Sequence, residues 1–258
     1  MKIRILLLFS AFFLVLAHLL AFPDGRARIV FCDVGQGDAI LVSRGFDQIL
    51  VDTGTDNKKV LGCLNRYMAF WDRNIDLVII THEDKDHVGG LFDVEKNYKI
   101  GKLIYGVSQS GLFEQKSNAS RVGRNDVVRI EDIYFEVINP DEIMIDNFEE
   151  NDNSVAGILK YKDIRVLLTG DVSTEMERRW VWREMVEGKI DVLKVAHHGS
   201  GQSTGDELLN LIMPVEAVIS VGKNSYGHPS GEVIKRLEEK GINIRRTDEE
   251  GDVVYVID

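Results

Sequence analysis

Cysteine is nearly missing from this 258-residue chain: Cys32 and Cys63 are the whole complement. Two are too few for a disulfide-rich scaffold. Cys32 sits in an apolar run and Cys63 on a helical pattern, so both read as small buried hydrophobes, with a pairing of the two left open. Excess positive charge is missing as well. Lys and Arg total 31 against 42 Asp and Glu, a formal net charge of −11. That balance argues against broad, charge-driven nucleic-acid binding but leaves room for a local basic groove. Internal repeats are absent at the level of sequence. Long hydrophobic runs are absent too, except one. Ile5 to Phe22 is interrupted only by Ser10 and His18 and follows Lys2 and Arg4. It has no polar face, so it reads as a membrane segment with a basic flank. No small-x-small cleavage site stands before Pro23-Asp24-Gly25, which favours an uncleaved anchor over a cleaved signal. The basic flank would stay in the cytoplasm and the rest would lie outside, or be secreted if the segment is cleaved. Residues 1–25 are thus an anchor or signal segment, and residues 26–258 a globular domain.

That domain has what a core needs, in a chain 44% hydrophobic and 28% charged. Strands are predicted at 28–33 and 39–42, joined by the tight turn Val34-Gly35-Gln36-Gly37-Asp38, and at 48–51. Val60, Leu61, Leu64, Met68 and Phe70 predict a helix over 58–70. Ile75 to Ile80 is a buried strand. A helix starts near 88–94, a short strand follows at 102–105, and 107–125 reads as a surface loop. A strand pair over 127–138 turns near Glu131-Asp132, and 141–153 is acidic and irregular. A hairpin spans 155–168. A helix runs from 173 to about 187, with Thr174 and Glu177 at capping-box spacing. Strands at 191–195 and 217–221 alternate with helices at 206–213 and 231–240, and strands at 243–246 and 253–257 follow. Strands first, then strand–helix alternation, twice over, predicts two mixed sheets packed together with helices outside.

The chemistry concentrates in Thr81-His82-Glu83-Asp84-Lys85-Asp86-His87-Val88-Gly89-Gly90, directly after the apolar strand. Imidazole nitrogen and carboxylate oxygen both ligate divalent metals. In an extended loop His82, Asp84 and Asp86 share one side, while His87 turns back toward a second position. Gly89 and Gly90 allow close backbone packing behind them. Other strands also end in polar motifs: Asp52-Thr53-Gly54, Gly170-Asp171, Ala196-His197-His198-Gly199-Ser200, and the loop carrying His228. Five of the six histidines fall in these motifs. Groups at one edge of packed sheets can meet in one crevice. Asp171 offers two oxygens for two cations, and Asp52 could hold a ligating histidine by its far nitrogen. From an extended segment His197 and His198 cannot point the same way, so one ligates and the other is free for substrate.

These motifs resemble the metallo-β-lactamase superfamily, and within it the extracytoplasmic hydrolase domain of the ComEC competence proteins. The matching stretches are Asp33-Val-Gly-Gln-Gly-Asp38, Val51-Asp-Thr-Gly54, Thr81 to Gly90, Leu168-Thr-Gly-Asp171, Leu193 to Ser200 and Tyr226-Gly-His-Pro229. The resemblance implies an αββα sandwich with a two-metal site at one edge. Two departures stand out. Asp84 replaces the second histidine of the usual His-x-His-x-Asp-His loop, and Asn151-Asp152-Asn153-Ser154 holds no histidine where the superfamily often has one. His197 is therefore assigned as the missing ligand. One site would be His82, Asp84, Asp171 and His197, and the other Asp86, His87, Asp171 and His228, with His198 able to exchange roles with His197. Added oxygen ligands make Mn²⁺ more competitive with Zn²⁺.

The expected function is a binuclear metal-dependent hydrolase, a phosphodiesterase or nuclease acting on DNA outside the cytoplasmic membrane. Asp86 would orient the attacking water and His198 would act as general acid. Lys194, Lys223 and Arg246 are candidate phosphate contacts. The competing expectation is an envelope hydrolase of a small ester, phosphoester or lactone, which the acidic charge favours.

Overall fold

The structure, a computed structural model, describes Phe9, Phe12 and residues 22–56, 58–108, 110–141 and 150–258. The expected membrane segment lies outside the described residues except for Phe9, Phe12 and Phe22, as does most of the acidic stretch 141–153. Among the described residues no helix is long and apolar enough to cross a membrane.

Two seven-stranded sheets form the body. In the first, β1 (Ala27–Phe31), β2 (Ile40–Arg44) and β3 (Asp47–Val51) pair antiparallel, and β4 (Asn74–Ile80), β5 (Lys99–Tyr105) and β6 (Ala119–Arg121) add in parallel. The second repeats the plan. Strands β7 (Val127–Ile130), β8 (Ile133–Asn139), β9 (Ala156–Tyr161) and β10 (Ile164–Leu168) are antiparallel, and β11 (Val192–Lys194), β12 (Glu216–Ile219) and β13 (Asn243–Arg246) add in parallel. Strand β14 (Val253–Ile257) returns to the first sheet and pairs antiparallel with β1.

The central strands read as unbroken apolar runs because both their faces are buried. Alternate residues go to different cores. Ile29, Phe31, Leu77 and Ile79 meet Phe135, Leu159 and Val166 between the sheets. Val30, Val78 and Ile80 face outward to Leu64 of α1 (Lys59–Tyr67) and Val94 of α3 (Leu91–Asn97), with the short helix α2 (Lys85–Val88) between these two helices in the chain. On the other side, Leu167 and Leu193 pack under α4 (Thr174–Trp182), α5 (Asp206–Ile212) and α6 (Gly231–Glu239). A last short helix, α7 (Thr247–Glu250), precedes β14. This is the expected αββα sandwich.

Four local expectations need correction. The stretch read as a surface loop contains β6, whose three residues are too few to show an alternation and whose pairing to Leu103–Tyr105 makes it a strand. Helix α4 stops at Trp182, because Glu184 takes a left-handed backbone (φ 52°). Its N-cap is Ser173, whose side chain accepts from the Met176 N–H. Glu177 instead turns inward and accepts the Thr204 and Gly205 N–H groups at 2.8 and 2.6 Å, capping the start of α5. Finally, Cys32 and Cys63 form a disulfide, their Cα atoms 5.9 Å apart, tying the end of β1 to α1.

Candidate metal centre

Strands β3 and β4 run parallel and deliver Asp52 and Thr81 side by side. The Asp52 carboxylate accepts the Thr81 N–H (2.8 Å) and hydroxyl (2.7 Å). The chain then turns into α2, with the His87 and Val88 N–H groups donating to the Asp84 carbonyl, both at 2.9 Å. Two glycines let neighbouring loops close on this turn. Gly37 (φ 128°) lies so near that a Cβ there would sit 2.2 Å from the Asp86 carbonyl oxygen, and a Cβ on Gly90 would sit 2.2 Å from that of Thr53. The Asp38 N–H donates to the Asp86 carbonyl at 3.0 Å, which seals the first loop against the second.

From the other sheet come Asp171, after β10, and His198, after β11. Asp171 Oδ2 lies 3.2 Å from His87 Nε2 and 3.4 Å from His198 Nε2. Asp86 Oδ2 lies 3.3 Å from the same His198 nitrogen. Asp86, His87, Asp171 and His198 thus converge on one point. His82 stacks 4.0 Å from the His87 ring, its Nε2 3.6 Å from Asp84 Oδ2. His82, His87 and Asp171 also present ligand atoms within 4.8 Å of one another.

The orientation of the imidazoles tests whether these residues suit a cation. His198 Nδ1 donates to the Ser220 carbonyl at 2.8 Å, and His87 Nδ1 faces Asp52 Oδ2 at 2.8 Å. The Thr81 hydroxyl gives its proton to Asp52, so it accepts from His82 Nδ1 at 2.9 Å. Each Nδ1 therefore carries a proton, and each Nε2 is turned toward carboxylates. The Nε2 atoms of His82 and His198 are buried with no hydrogen-bond partner. An imidazole nitrogen facing carboxylates needs a proton or a metal cation between them, and N/O donors of this kind suit a divalent metal.

The protonation equilibria point the same way. Burial opposes the charged form of His87, but the charges of Asp171 and Asp52 outweigh it and hold His87 well above the usual histidine range. His198 is also raised: burial opposes this, and Asp171, Asp86 and Asp38 override it. Burial would push Asp86 up, but the close approach of His198 at 3.3 Å and the charge of His87 hold it below the ordinary carboxylate range. Asp171 lies well below that range, because His87, His198 and Lys194 together outweigh its burial. The carboxylates are thus ready as anions, and a bound metal would replace the protons on the imidazoles.

Several expectations about single residues change. His197 and His198 are not extended: both adopt left-handed backbone, φ 47° and 52°. That turn sends His198 into the cluster and leaves His197 outside it, 5.4 Å from the His228 ring at the mouth. Of the expected ligands, Asp84 belongs to no ligand cluster among the described residues, and neither does His197 or His228. Burial holds both below the usual histidine range, and the charge of His198 adds to the effect. Lys194 is not a surface phosphate contact. It is 1% exposed, paired with Asp38, and bonded to the Gly170 carbonyl (3.1 Å) and Asp171 Oδ1 (3.4 Å). Arg246 is engaged by Asp248 and Glu249, whereas Lys223 stays exposed. Ser154 ends the segment that holds no histidine, its Oγ accepting the Asp171 N–H at 3.2 Å and lying 3.4 Å from His82 Nδ1. Asp38 and Lys194 were hidden from sequence reasoning as partners because they are far apart in the chain. Their one signal was that each lies inside a quoted motif.

Residues 32–223 match the metallo-β-lactamase superfamily, and the chain belongs to that superfamily. It is 30% identical over 262 residues to ComE operon protein 3 of Bacillus subtilis (strain 168), covering 90% of this chain and 33% of that protein. It is likewise 30% identical over 232 residues to competence protein ComA of Neisseria gonorrhoeae, covering 90% and 32%. These relatives bear out the resemblance seen in the motifs, and the chain spans about a third of their length. Among solved structures it is similar to the metallo-β-lactamase fold protein YhfI of Bacillus subtilis, with a TM-score of 0.61 and 13% identity over 90% of this chain and 99% of that one. At such identity the likeness concerns the fold.

Proposed function

We propose that the chain is a metal-dependent hydrolase of phosphodiester bonds, a nuclease acting on DNA outside the cytoplasmic membrane, in the setting of competence that its relatives' names indicate. The observation that carries this reading is the set of imidazole Nε2 atoms and carboxylate oxygens converging at one sheet edge. Asp86, His87, Asp171 and His198 would hold one divalent ion, Zn²⁺ or Mn²⁺. His82, Asp84 and the shared Asp171 would hold a second. Such ions supply Lewis acidity to water and phosphoryl oxygens. Asp86, the more open of the buried group's carboxylates, is placed to orient the attacking water. His197 and His228, at the mouth and outside the cluster, take the role first given to His198: hydrogen-bonding the phosphate and the leaving oxygen. Residues 5–22 would anchor the domain in the membrane. The Cys32–Cys63 disulfide supports the extracytoplasmic side, since disulfides persist in oxidising compartments.

The test is a Mn²⁺- and Zn²⁺-supplemented screen of the full chain against single-stranded DNA, a nitrophenyl phosphodiester, small esters and lactones, with metal content measured in parallel. Two ions per chain and phosphodiester cleavage are expected. Opening of esters or lactones with no phosphodiester cleaved would keep the metal centre and replace the substrate.

A further inference from the structure

Four aromatic side chains gather at one corner of the first sheet, away from the metal centre. Phe22 meets Phe46 edge-on, centroids 5.4 Å apart, and Trp71 at 5.7 Å. Phe70 meets Trp71 edge-on at 4.8 Å. Phe22, Phe46 and Phe70 are 49%, 45% and 59% exposed, and Trp71 is half-buried. Beside them a surface cleft of about 510 Å³ is lined by Phe22, Arg28, Arg66, Met68 and Phe70. The sequence pattern carries the predicted helix as far as Phe70. Helix α1 ends at Tyr67, and Phe70 turns out to the surface instead. Exposed aromatics in contact with one another mark a surface that meets something less polar than water.

Their place in the chain says what that something is. Phe22 is the last residue of the apolar run that begins at Ile5. Phe46 occupies the turn between β2 and β3, and Phe70-Trp71 lies in the segment leading into β4. All four therefore sit where the apolar run meets the domain. Aromatic rings are favoured at the level of lipid headgroups, where one part of the ring is dry and the rest is wet. The patch also lies at the N-terminal ends of β3 and β4, whose other ends carry Asp52 and Thr81-His82. Strand β4 has seven residues, so at roughly 3.3 Å per residue the two edges stand about 20 Å apart.

We propose that Phe22, Phe46, Phe70 and Trp71 form a seat that rests the domain on the lipid–water interface, with the metal centre held at the far edge, facing the aqueous phase. The proposal rests on the membrane-anchor reading of residues 5–22. It adds an orientation that an anchor alone does not impose, since a chain tethered only through a flexible joint would present every face in turn. With the seat in place, a polymeric substrate in solution reaches the centre without passing between the protein and the bilayer.

The experiment uses the full chain reconstituted in phosphatidylcholine–phosphatidylglycerol vesicles, with and without lipid brominated near the headgroup end of the acyl chains. The expected result is bromine quenching of tryptophan emission that is lost in Trp71→Phe and kept in Trp182→Phe. Phe46→Ser with Phe70→Ser should weaken the quenching while the chain still floats with the vesicles. Flotation with quenching unchanged in Trp71→Phe would overturn the seat and leave the anchor standing. A chain that does not float, with a new N-terminus near residue 22, would overturn both. Trp71 shielded from acrylamide yet untouched by bromine would give the patch to a second copy of the chain and also overturn the proposal.

Discussion

The two sheets share one plan but spend it differently. In each, antiparallel strands give way to parallel ones at a single strand, β3 in the first and β10 in the second. Each of these strands is followed by an aspartate, Asp52 or Asp171, and each next strand, β4 or β11, by histidines. Ligands gather where a sheet changes direction because the loops there diverge and leave a crevice. His87 is held between the two corresponding aspartates, Asp52 at Nδ1 (2.8 Å) and Asp171 at Nε2 (3.2 Å). One grips the ring from behind and the other stands in front, on the metal side. On the proposed function, corresponding aspartates in two topologically matched halves serve as a positioning group in one and a ligand in the other.

Exchanging the two should expose that division most strongly. Asp171→Ala removes an oxygen shared by both proposed ions, so retention of both and turnover should fall together, to background in metal analysis and in hydrolysis. Asp52→Ala should leave the ligand count intact while freeing the His87 ring. A roughly 10–100-fold loss of metal affinity by calorimetric titration is expected. Equal effects of the two would break the comparison.

The paired histidines give the next contrast. His198→Ala should lose an ion. His197→Ala should keep both ions and slow turnover by on the order of 10²-fold, less with a nitrophenolate leaving group that needs little help from a proton donor. If His197→Ala loses metal, the geometry has been misread. Lys194 sharpens the comparison from within. Lys194→Met leaves Asp38 and Asp171 buried beside each other without their cation, and breaking a buried pair costs about 3–5 kcal/mol. Denaturant midpoints of the metal-free protein should show it.

The halves also differ in how they are braced. The first has the Cys32–Cys63 disulfide, which closes a loop with a sequence separation of 31. Its reduction, or Cys32→Ser with Cys63→Ser, should cost about 3 kcal/mol in an equilibrium unfolding curve. The second has the buried carboxyl of Glu177, pushed up from 4.5 to about 7 mainly by burial. A group whose folded pKa is raised contributes stability that is complete below about 4.5 and lost as pH rises through about 7. Wild type and Glu177→Gln should therefore converge in acid, and above neutrality the variant should be more stable by up to roughly 3 kcal/mol. A constant gap across that range would put Glu177 in its charged form throughout.

The sandwich was legible because its central strands bury both faces, so Ile75–Ile80 and Val166–Leu168 announce themselves as apolar runs. The metal loop was legible because His82, Asp84, Asp86 and His87 are neighbours in sequence. Less could be read where geometry depends on the backbone's local sense. His197 and His198 exchange roles because both residues are left-handed, and no residue preference predicts that for two adjacent histidines. Pairings across the molecule were illegible for another reason. Lys194 reads as a surface cation until the fold brings Asp38 to it, and Glu177 reads as part of its own helix's cap until α5 arrives. Cys32 and Cys63 carry no mark of how near they lie. Phe70 fits a helical stripe that simply ends three residues earlier.

Strand β14 has a consequence for how the protein is made. It belongs by position to the second half but pairs with β1 of the first, Ala27 opposite Ile257. While synthesis proceeds, β1 presents an open edge that stays unpaired until nearly every other strand has been produced. Unpaired edges invite other chains, and contacts that close so late in the sequence slow folding. The growing polypeptide would spend its nascent life with one sheet unfinished, and the pairing of Ala27 with Ile257 would complete it only at the end.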